Sequence, residues 1–283
     1  MSEFHDLAET ALNLESADLE GGRTSWGNLG FWDGARTYPQ ACQALADQLA
    51  QGLRLGAQDH LLDVGFGCGD QILHWRRAYG VREIDGLNLS ASQTALARQR
   101  LLEASETCIA DRLHQGSVAH LLPWAQRVSF GRPDVILALD CAYHFASRRQ
   151  FLSDAAALLG PDGRLGVTDL ILARRPLPPW HAAPLGVATR LARIPWQNLR
   201  DADAYRHEWE QAGFRIEHYV DITEQVFRPF GDWLRRYRAS LGPERAAGIQ
   251  WRKFELTAAF LNWAQRHQIL RYVVCCGRQS AGC

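Results

Sequence analysis

The chain has almost no lysine. Lys253 stands alone among 31 basic side chains, the rest being arginine, a bias that reads as genome composition rather than function. It has no net charge either: 31 basic and 31 acidic residues cancel, and the isoelectric point is about 7.1. Binding nucleic acid needs a basic stripe to neutralise phosphates, so that class of partner is not expected. No apolar run reaches the ~20 residues of a membrane-spanning helix, and no basic or amphipathic membrane anchor stands out. The start, "MSEFHDLAET", is acidic and polar and does not read as a secretory leader. Seven cysteines make an odd number at irregular spacings, with neither a disulfide framework nor metal-ligand spacing among them. A reduced, cytoplasmic protein without a bound metal is the expectation. There is no internal repeat and no low-complexity tract.

What is present is a chain able to bury a core. Of 283 residues, 47% are hydrophobic and 22% charged, which excludes a disordered polymer. "YPQACQALADQLAQGLRL" carries Ala41, Leu45, Leu49 and Leu53 at helical spacing, with Pro39 in its first turn. "DHLLDV", Asp59 to Val64, is a short apolar run ending at glycines, the mark of a buried parallel strand. Helix "QILHWRRAYG" follows, then strand "EIDGLNL". Helix "SASQTALARQRLLEAS" comes next, with Ser90 and Gln93 spaced as a capping box. "DVILAL", "RLGVTDLIL", "RIEHYVDI" and "ILRYVVCCGRQ" are further strands, and "SRRQFLSDAAALLG" and "DADAYRHEWEQAGF" further helices. The proline-rich "ARRPLPPWHAAPLG" reads as a loop. Strands alternating with helices predict a mostly parallel sheet with helices on both faces. The helices between about Thr223 and Gln268 read as a cap inserted before the last strand.

The stretch "LLDVGFGCGD", Leu61 to Asp70, raises the functional question. Ligands of such sheets bind outside the carboxyl ends of strands, and this stretch lies at one. Gly65, Gly67 and Gly69 are spaced G-x-G-x-G, which misses the dinucleotide fingerprint G-x-G-x-x-G at its last glycine. Asp63 and Asp70 flank the loop and suit a cationic ligand better than a pyrophosphate. A plain strand-to-helix turn is the other reading, but three alternating glycines cost backbone entropy that a simple turn avoids.

The chain here resembles the class I S-adenosylmethionine-dependent methyltransferases, whose first motif is an acid followed by G-x-G-x-G, as in "DVGFGCG". "GLNLSASQ" resembles the G-x-x-L-S-x-x-Q second-strand motif of a small-molecule subgroup. "NLGFW", "LDCAYHF" with "LLGPDGRL", and "GFRIEHYVDIT" extend the likeness from about Asn28 to Thr223. The resemblance implies an α/β, Rossmann-like, seven-stranded and mostly parallel sheet with the last strand antiparallel. It implies one domain over 1–283: an N-terminal lid and first helix (1–58), a cofactor core (59–172), a substrate-cap region (173–268), and the last strand (269–283). The implied cofactor is S-adenosylmethionine, leaving as S-adenosylhomocysteine. Gly65, Phe66, Gly67 and Gly69 would lie against its methionine and ribose parts, and Asp63 would support the loop and the cofactor's amino group. The second strand of most relatives ends in an acid; here Asn88 stands there, next to Leu89, with Gln93 as a second polar contact. Ser117 and Val118 fall in the segment that grips the adenine.

Methyl transfer is an in-line displacement for which the protein supplies approach geometry and, where needed, removes a proton. His144, at the end of the fourth strand, is the candidate base, since imidazole titrates near neutrality. Tyr143 would orient substrate, and Asp140 would orient the histidine or touch the cofactor. Trp32, Tyr38 and Trp180 are the candidate lid and substrate residues. "SWGNLGFWDG" is expected to fold over the site, and the tryptophan-rich cap suggests an apolar or aromatic small molecule. O- or N-methylation is the first reading. C-methylation of a quinone-like or prenyl substrate, a noncatalytic cofactor-binding protein of the same fold and a nicotinamide oxidoreductase remain alternatives. The oligomeric state is open.

Overall fold

The computed structural model describes residues 12–13, 24–128, 131–241 and 249–280. The first part of the expected lid, 1–11 and 14–23, lies outside them.

Helix α1, Tyr38–Leu53, forms because Thr37 and Gln40 close a reciprocal capping box and a proline occupies the first turn. Its predicted stripe, Ala41, Leu45, Leu49 and Leu53, is fully buried. A Cβ on Gly166 of the facing strand would come within 2.9 Å of Leu53 and Leu49, so that strand needs glycine for the helix to lie this close.

Seven strands pair into one sheet. They are β1 (His60–Val64), β2 (Glu83–Asn88), β3 (Leu113–Gln115), β4 (Val135–Ala138), β5 (Arg164–Leu172), β6 (Phe214–Asp221) and β7 (Leu270–Gln279). Their order is β3-β2-β1-β4-β5-β7-β6, with β7 antiparallel to both neighbours and the remaining pairs parallel. The inner strands are buried along almost their whole length because helices cover both faces, and most of their residues are apolar. Six of the seven were legible as apolar or alternating runs. β3 is only three residues long and gives no such run.

Between the strands run α2 (Asp70–Ala78), α3 (Ala91–Glu103), α4 (Thr107–Asp111), α5 (Leu121–Arg127), α6 (Arg148–Leu158), α7 (Pro179–Leu191) and α8 (Ala202–Gln211). Helices α9 (Thr223–Ser240) and α10 (Ile249–Arg266) lie between β6 and β7 in the chain, as the expected insertion. The proline-rich segment departs from expectation: it is not all loop, for α7 starts within it. Pro179 sits in the first turn, where its missing N–H is no loss, and the helix tolerates Pro184 inside it.

Strand order reverses between β1 and β4, whose carboxyl ends diverge to neighbours on opposite sides. That crevice is where sheets of this type hold ligands. Because β7 runs antiparallel, its first residues, Leu270 to Tyr272, also lie at the carboxyl edge, beside Leu170 to Leu172.

Candidate active site

The loop after β1 is built from three glycines with positive φ, at 82°, 60° and 92° for Gly65, Gly67 and Gly69. A Cβ on Gly65 would meet Cys141 Sγ at 2.6 Å, and one on Gly69 would meet Ala97 of α3 at 2.9 Å. A Cβ on Gly67 would meet nothing within 4 Å. The outer two glycines thus pack the loop against its supports, while the middle one leaves an open, backbone-lined cradle. Phe66 points the other way. Its ring is buried against Gly86 of β2, so only its main chain belongs to the loop.

Beneath the cradle, Asp63 is completely buried. Gln71 Nε2 donates to its two oxygens at 2.8 and 2.9 Å, and Trp75 Nε1 donates at 2.7 Å. Burial outweighs these donors and pushes the carboxyl up to about 7. Asp70 is committed as well. Arg100 binds both its oxygens, at 2.5 and 2.7 Å, and the Ser25 amide donates to it at 3.0 Å. Of the two acids expected to favour a cationic ligand, Asp70 is therefore already neutralised by a cation of the protein. Asp63 has no cation partner among the described residues.

At the end of β2, Asn88 is buried and donates Nδ2 to Gln93 Oε1 at 3.2 Å, while the Gln93 amide donates to Ser90 Oγ at 3.3 Å. The Ser90 half of the expected capping box is present, and the Gln93 side chain meets Asn88. Leu89, the next residue, is an exposed apolar side chain beside this rim. Ser117 Oγ accepts from the Ala119 amide at 3.3 Å and caps the turn that begins with Val118. One acceptor position of the serine hydroxyl is taken within its own turn.

On the opposite side, Asp140 follows β4 with φ of 55°. Its Oδ1 accepts from Tyr143 at 2.7 Å and, in a short contact, from Tyr272 of β7. Its Oδ2 accepts from the Leu29 amide at 2.8 Å, and its own amide donates to Thr168 Oγ1 at 2.7 Å. Burial raises this carboxyl to about 6. Asp140 was expected to orient His144 or to touch the cofactor. Its partner on this loop is Tyr143, whose ring centroid lies 4.4 Å from the His144 ring. His144 is half-buried, on the single turn Ala142–His144. Asn198 locks that turn from below: its Nδ2 donates to the carbonyls of Tyr143 (3.2 Å) and Phe145 (2.6 Å), and its Oδ1 accepts from the Arg148 amide (3.0 Å). Arg148 is itself buried and paired with Asp169 and Glu208.

The segment from Thr24 to Asp33 crosses the crevice between these two halves. Ser25 is held at Asp70, Leu29 at Asp140, and the Trp32 amide at Gln225 O of α9 (2.9 Å). Trp32 and Tyr38 were expected as lid or substrate residues. They are buried in an aromatic column, with ring centroids 5.0 and 5.5 Å from Trp233, which stacks on Tyr237 at 4.9 Å. Tyr38 donates its hydroxyl to Asn28 O at 2.7 Å. Their work is to fasten the segment to the cap, and much of the cap's aromatic content is this core. Trp180 lies outside the crevice, exposed on α7. Sequence reasoning missed Tyr272, Thr168 and Asn198; the antiparallel last strand was the one signal that could have placed Tyr272 at this edge.

Among the described residues no group of acids, histidines and cysteines is arranged to hold a metal. The open cradle over a buried acid, with a polar strand end at one side and an apolar side chain beside it, fits S-adenosylmethionine. That molecule has a cationic amino-acid end, a ribose and an apolar base face.

The known proteins that this chain matches agree. The family model described as a methyltransferase domain matches residues 35–219. Erythromycin 3''-O-methyltransferase of Saccharopolyspora erythraea is 30% identical over 217 residues, 74% of this chain and 68% of that one. The 27-O-demethylrifamycin SV methyltransferase of Amycolatopsis mediterranei is 28% identical over 264 residues, 90% of this chain and 91% of that one. Among solved structures, geranyl diphosphate C-methyltransferase from Streptomyces coelicolor has a TM-score of 0.72 at 16% identity, covering 98% and 96% of the two chains. A 4+2 cyclase has a TM-score of 0.67 at 22% identity, covering 99% and 95%. At those identities the solved structures speak for the fold. The chain belongs to the methyltransferase-domain family and is an S-adenosylmethionine-dependent methyltransferase.

Proposed function

We propose that the enzyme methylates a hydroxyl oxygen of a small, largely apolar metabolite, with His144 as the base that takes the hydroxyl proton. The observation that carries this reading is the placement of His144. It stands on a rigid turn at the switch point, three residues beyond Cys141, which packs on the glycine loop at Gly65. The names of the two relatives, a 3''-O-methyltransferase and a methyltransferase of a 27-O-demethyl compound, support an oxygen acceptor.

S-adenosylmethionine, when bound, supplies a methyl group already activated by its sulfonium. The chain's own residues do the rest. The backbone from Gly65 to Gly69, Phe66 included, takes the methionine and ribose parts, and Asp63 supports the amino group from below. Asn88 and Gln93 face the ribose hydroxyls. Leu89, Ser117 and Val118 border the base. Tyr143, fixed by Asp140, sets the His144 ring and the acceptor. The Thr24–Asp33 segment excludes water from the crevice, which strengthens every polar contact inside it. In this division of labour residues 1–58 are the lid and first helix, 59–172 hold the cofactor and 173–268 shape the acceptor pocket. All six cysteines among the described residues are free, which supports a reducing, cytoplasmic setting.

The test is a transfer assay with methyl-labelled cofactor against alcohols, phenols, amines and quinols, read by mass and by the position of the label. Label on oxygen supports the proposal. Label on carbon or nitrogen with every acceptor that reacts contradicts it.

A further inference from the structure

Helix α7 is turned the unusual way round. Its inward side is Leu185 and Thr189, both buried. At about 100° per residue, the opposite side carries Trp180, Pro184, Val187 and Leu191. Trp180 is 72% exposed, Val187 63% and Leu191 71%. Trp196, in the turn that follows, is 45% exposed. The water-facing side of a surface helix is normally polar, and a contiguous apolar stripe there marks a surface with a partner.

The charges in the flanking sequence say what kind of partner, although Arg175 is bonded to Leu199 O and Arg200 is paired with Glu208. From Leu170 to Arg200 the sequence has five arginines and neither aspartate nor glutamate, in a chain whose charges sum to zero. Arg174 and Arg190 are exposed and make no ion pair among the described residues. We propose that α7 docks this enzyme on an anionic lipid surface, with the apolar stripe at the headgroup–acyl boundary and the arginines among the headgroups. A tryptophan at the level of the headgroups and cations beside an apolar stripe are what that boundary selects.

The shape and size of the surface favour a bilayer over other occupants. A convex ridge on one helix cannot enclose a small molecule. The four exposed side chains offer on the order of a few hundred Å², below the ~800 Å² per partner of a stable protein interface. A lipid surface needs no matching relief and adds headgroup charge to a small apolar area. The helix does not cross the membrane; none among the described residues is long and apolar enough. The placement is also useful to the enzyme. His181 of α7 packs edge-on against Trp263 of α10, and the turn after α7 ends in Asn198, which holds the His144 turn. A docked α7 keeps the rim of the crevice at the phase in which an apolar acceptor concentrates. The sequence alone showed no such anchor, because the segment read as a proline-rich loop.

The experiment is co-sedimentation of the full chain with phosphatidylcholine vesicles, with and without phosphatidylglycerol, at low and high salt. Binding is expected to the anionic vesicles only, and to weaken with salt as exposed charges are screened. The double variant Val187→Glu, Leu191→Glu should weaken it at least about tenfold, and Arg174→Glu with Arg190→Glu should abolish it. Binding of S-adenosylhomocysteine by calorimetry should be unchanged in both, which shows the fold intact. A wild-type chain that stays in the supernatant with anionic vesicles at low salt overturns the proposal. So does a folded double variant that binds as well as wild type. A dimer, seen by light scattering and dispersed by the same two glutamates, overturns it in favour of a second copy.

Discussion

The amide of Leu29 donates to Asp140 Oδ2 across 2.8 Å, joining two residues 111 positions apart. The bond bolts the segment over the crevice to the loop that carries Tyr143 and His144. The same carboxylate receives two tyrosine hydroxyls on its other oxygen, from the loop and from β7. One half-buried side chain thus holds the cover, the fourth strand's loop and the last strand in one arrangement.

Asp140→Asn tests that role. An amide can accept from the tyrosines through its oxygen, but its NH2 group then faces the Leu29 amide, donor against donor. A hydrogen bond to a charged group is worth about 1.5–3 kcal/mol. Amide exchange across residues 25–33 should therefore accelerate roughly ten- to a hundredfold, while the strands stay protected. Unchanged exchange in a folded variant would show that the aromatic column alone holds the segment.

The same residue gives a pH signature. Burial raises the Asp140 carboxyl from the ordinary 3.8 to about 6. The folded state then binds a proton that the unfolded state has released across this window. Stability linked to this group is therefore greatest near the ordinary value and falls as pH rises towards 6. The full difference is on the order of 3 kcal/mol. Denaturant unfolding of wild type and Asp140→Asn at matched pH should show wild type's advantage shrinking over that interval. An advantage that grows with pH contradicts the sign.

Asp63, raised to about 7 by burial, predicts a pH-dependent affinity. If it faces a cationic amino group, its ionised form is the one that binds. Affinity for S-adenosylhomocysteine should rise with pH through neutrality and level off above it. In Asp63→Asn the affinity should be lower and the rise absent. Calorimetry across this range decides, and a flat profile in wild type removes the amino group from Asp63.

His144→Ala should lower kcat about 100- to 10,000-fold, the usual worth of a general base, and leave S-adenosylhomocysteine affinity nearly unchanged. The pH–rate profile should lose its limb near neutrality. Turnover that keeps both its rate and that limb makes His144 a packing residue.

Much of this was legible in the sequence because it rests on local signals. The glycine loop shows as spacing, the inner strands show as apolar runs, and His144 follows from its place after the fourth strand. The resemblance supplied the antiparallel last strand. What stayed hidden depends on which distant groups meet. Nothing in "ILRYVVCCGRQ" marks Tyr272 as a partner of Asp140; only the register of β7 against β5 brings it there. Asn198 reads as one polar residue in a loop until its amide is seen closing three backbone bonds. For Trp32 and Tyr38 the sequence left lid and substrate contact undivided. Aromatic rings beside glycines suit a substrate pocket and a buried column equally well by composition, and tertiary packing chose the column. Prolines misled at α7 because a proline in a first turn starts a helix as readily as it ends one.

The central claim is that the glycine cradle holds the adenosyl cofactor, and Gly67 tests it most directly. A Cβ at Gly67 would meet nothing within 4 Å beyond its chain neighbours, so the substitution points into open space, which this reading assigns to the ligand. Its φ of 60° adds strain of roughly 1–2 kcal/mol for a branched residue, which a folded domain can absorb. Calorimetry with S-adenosylhomocysteine on wild type and Gly67→Val, each checked for folding by circular dichroism, is the measurement. The account predicts binding by wild type and none detectable by the folded variant. Equal affinity in the two contradicts it.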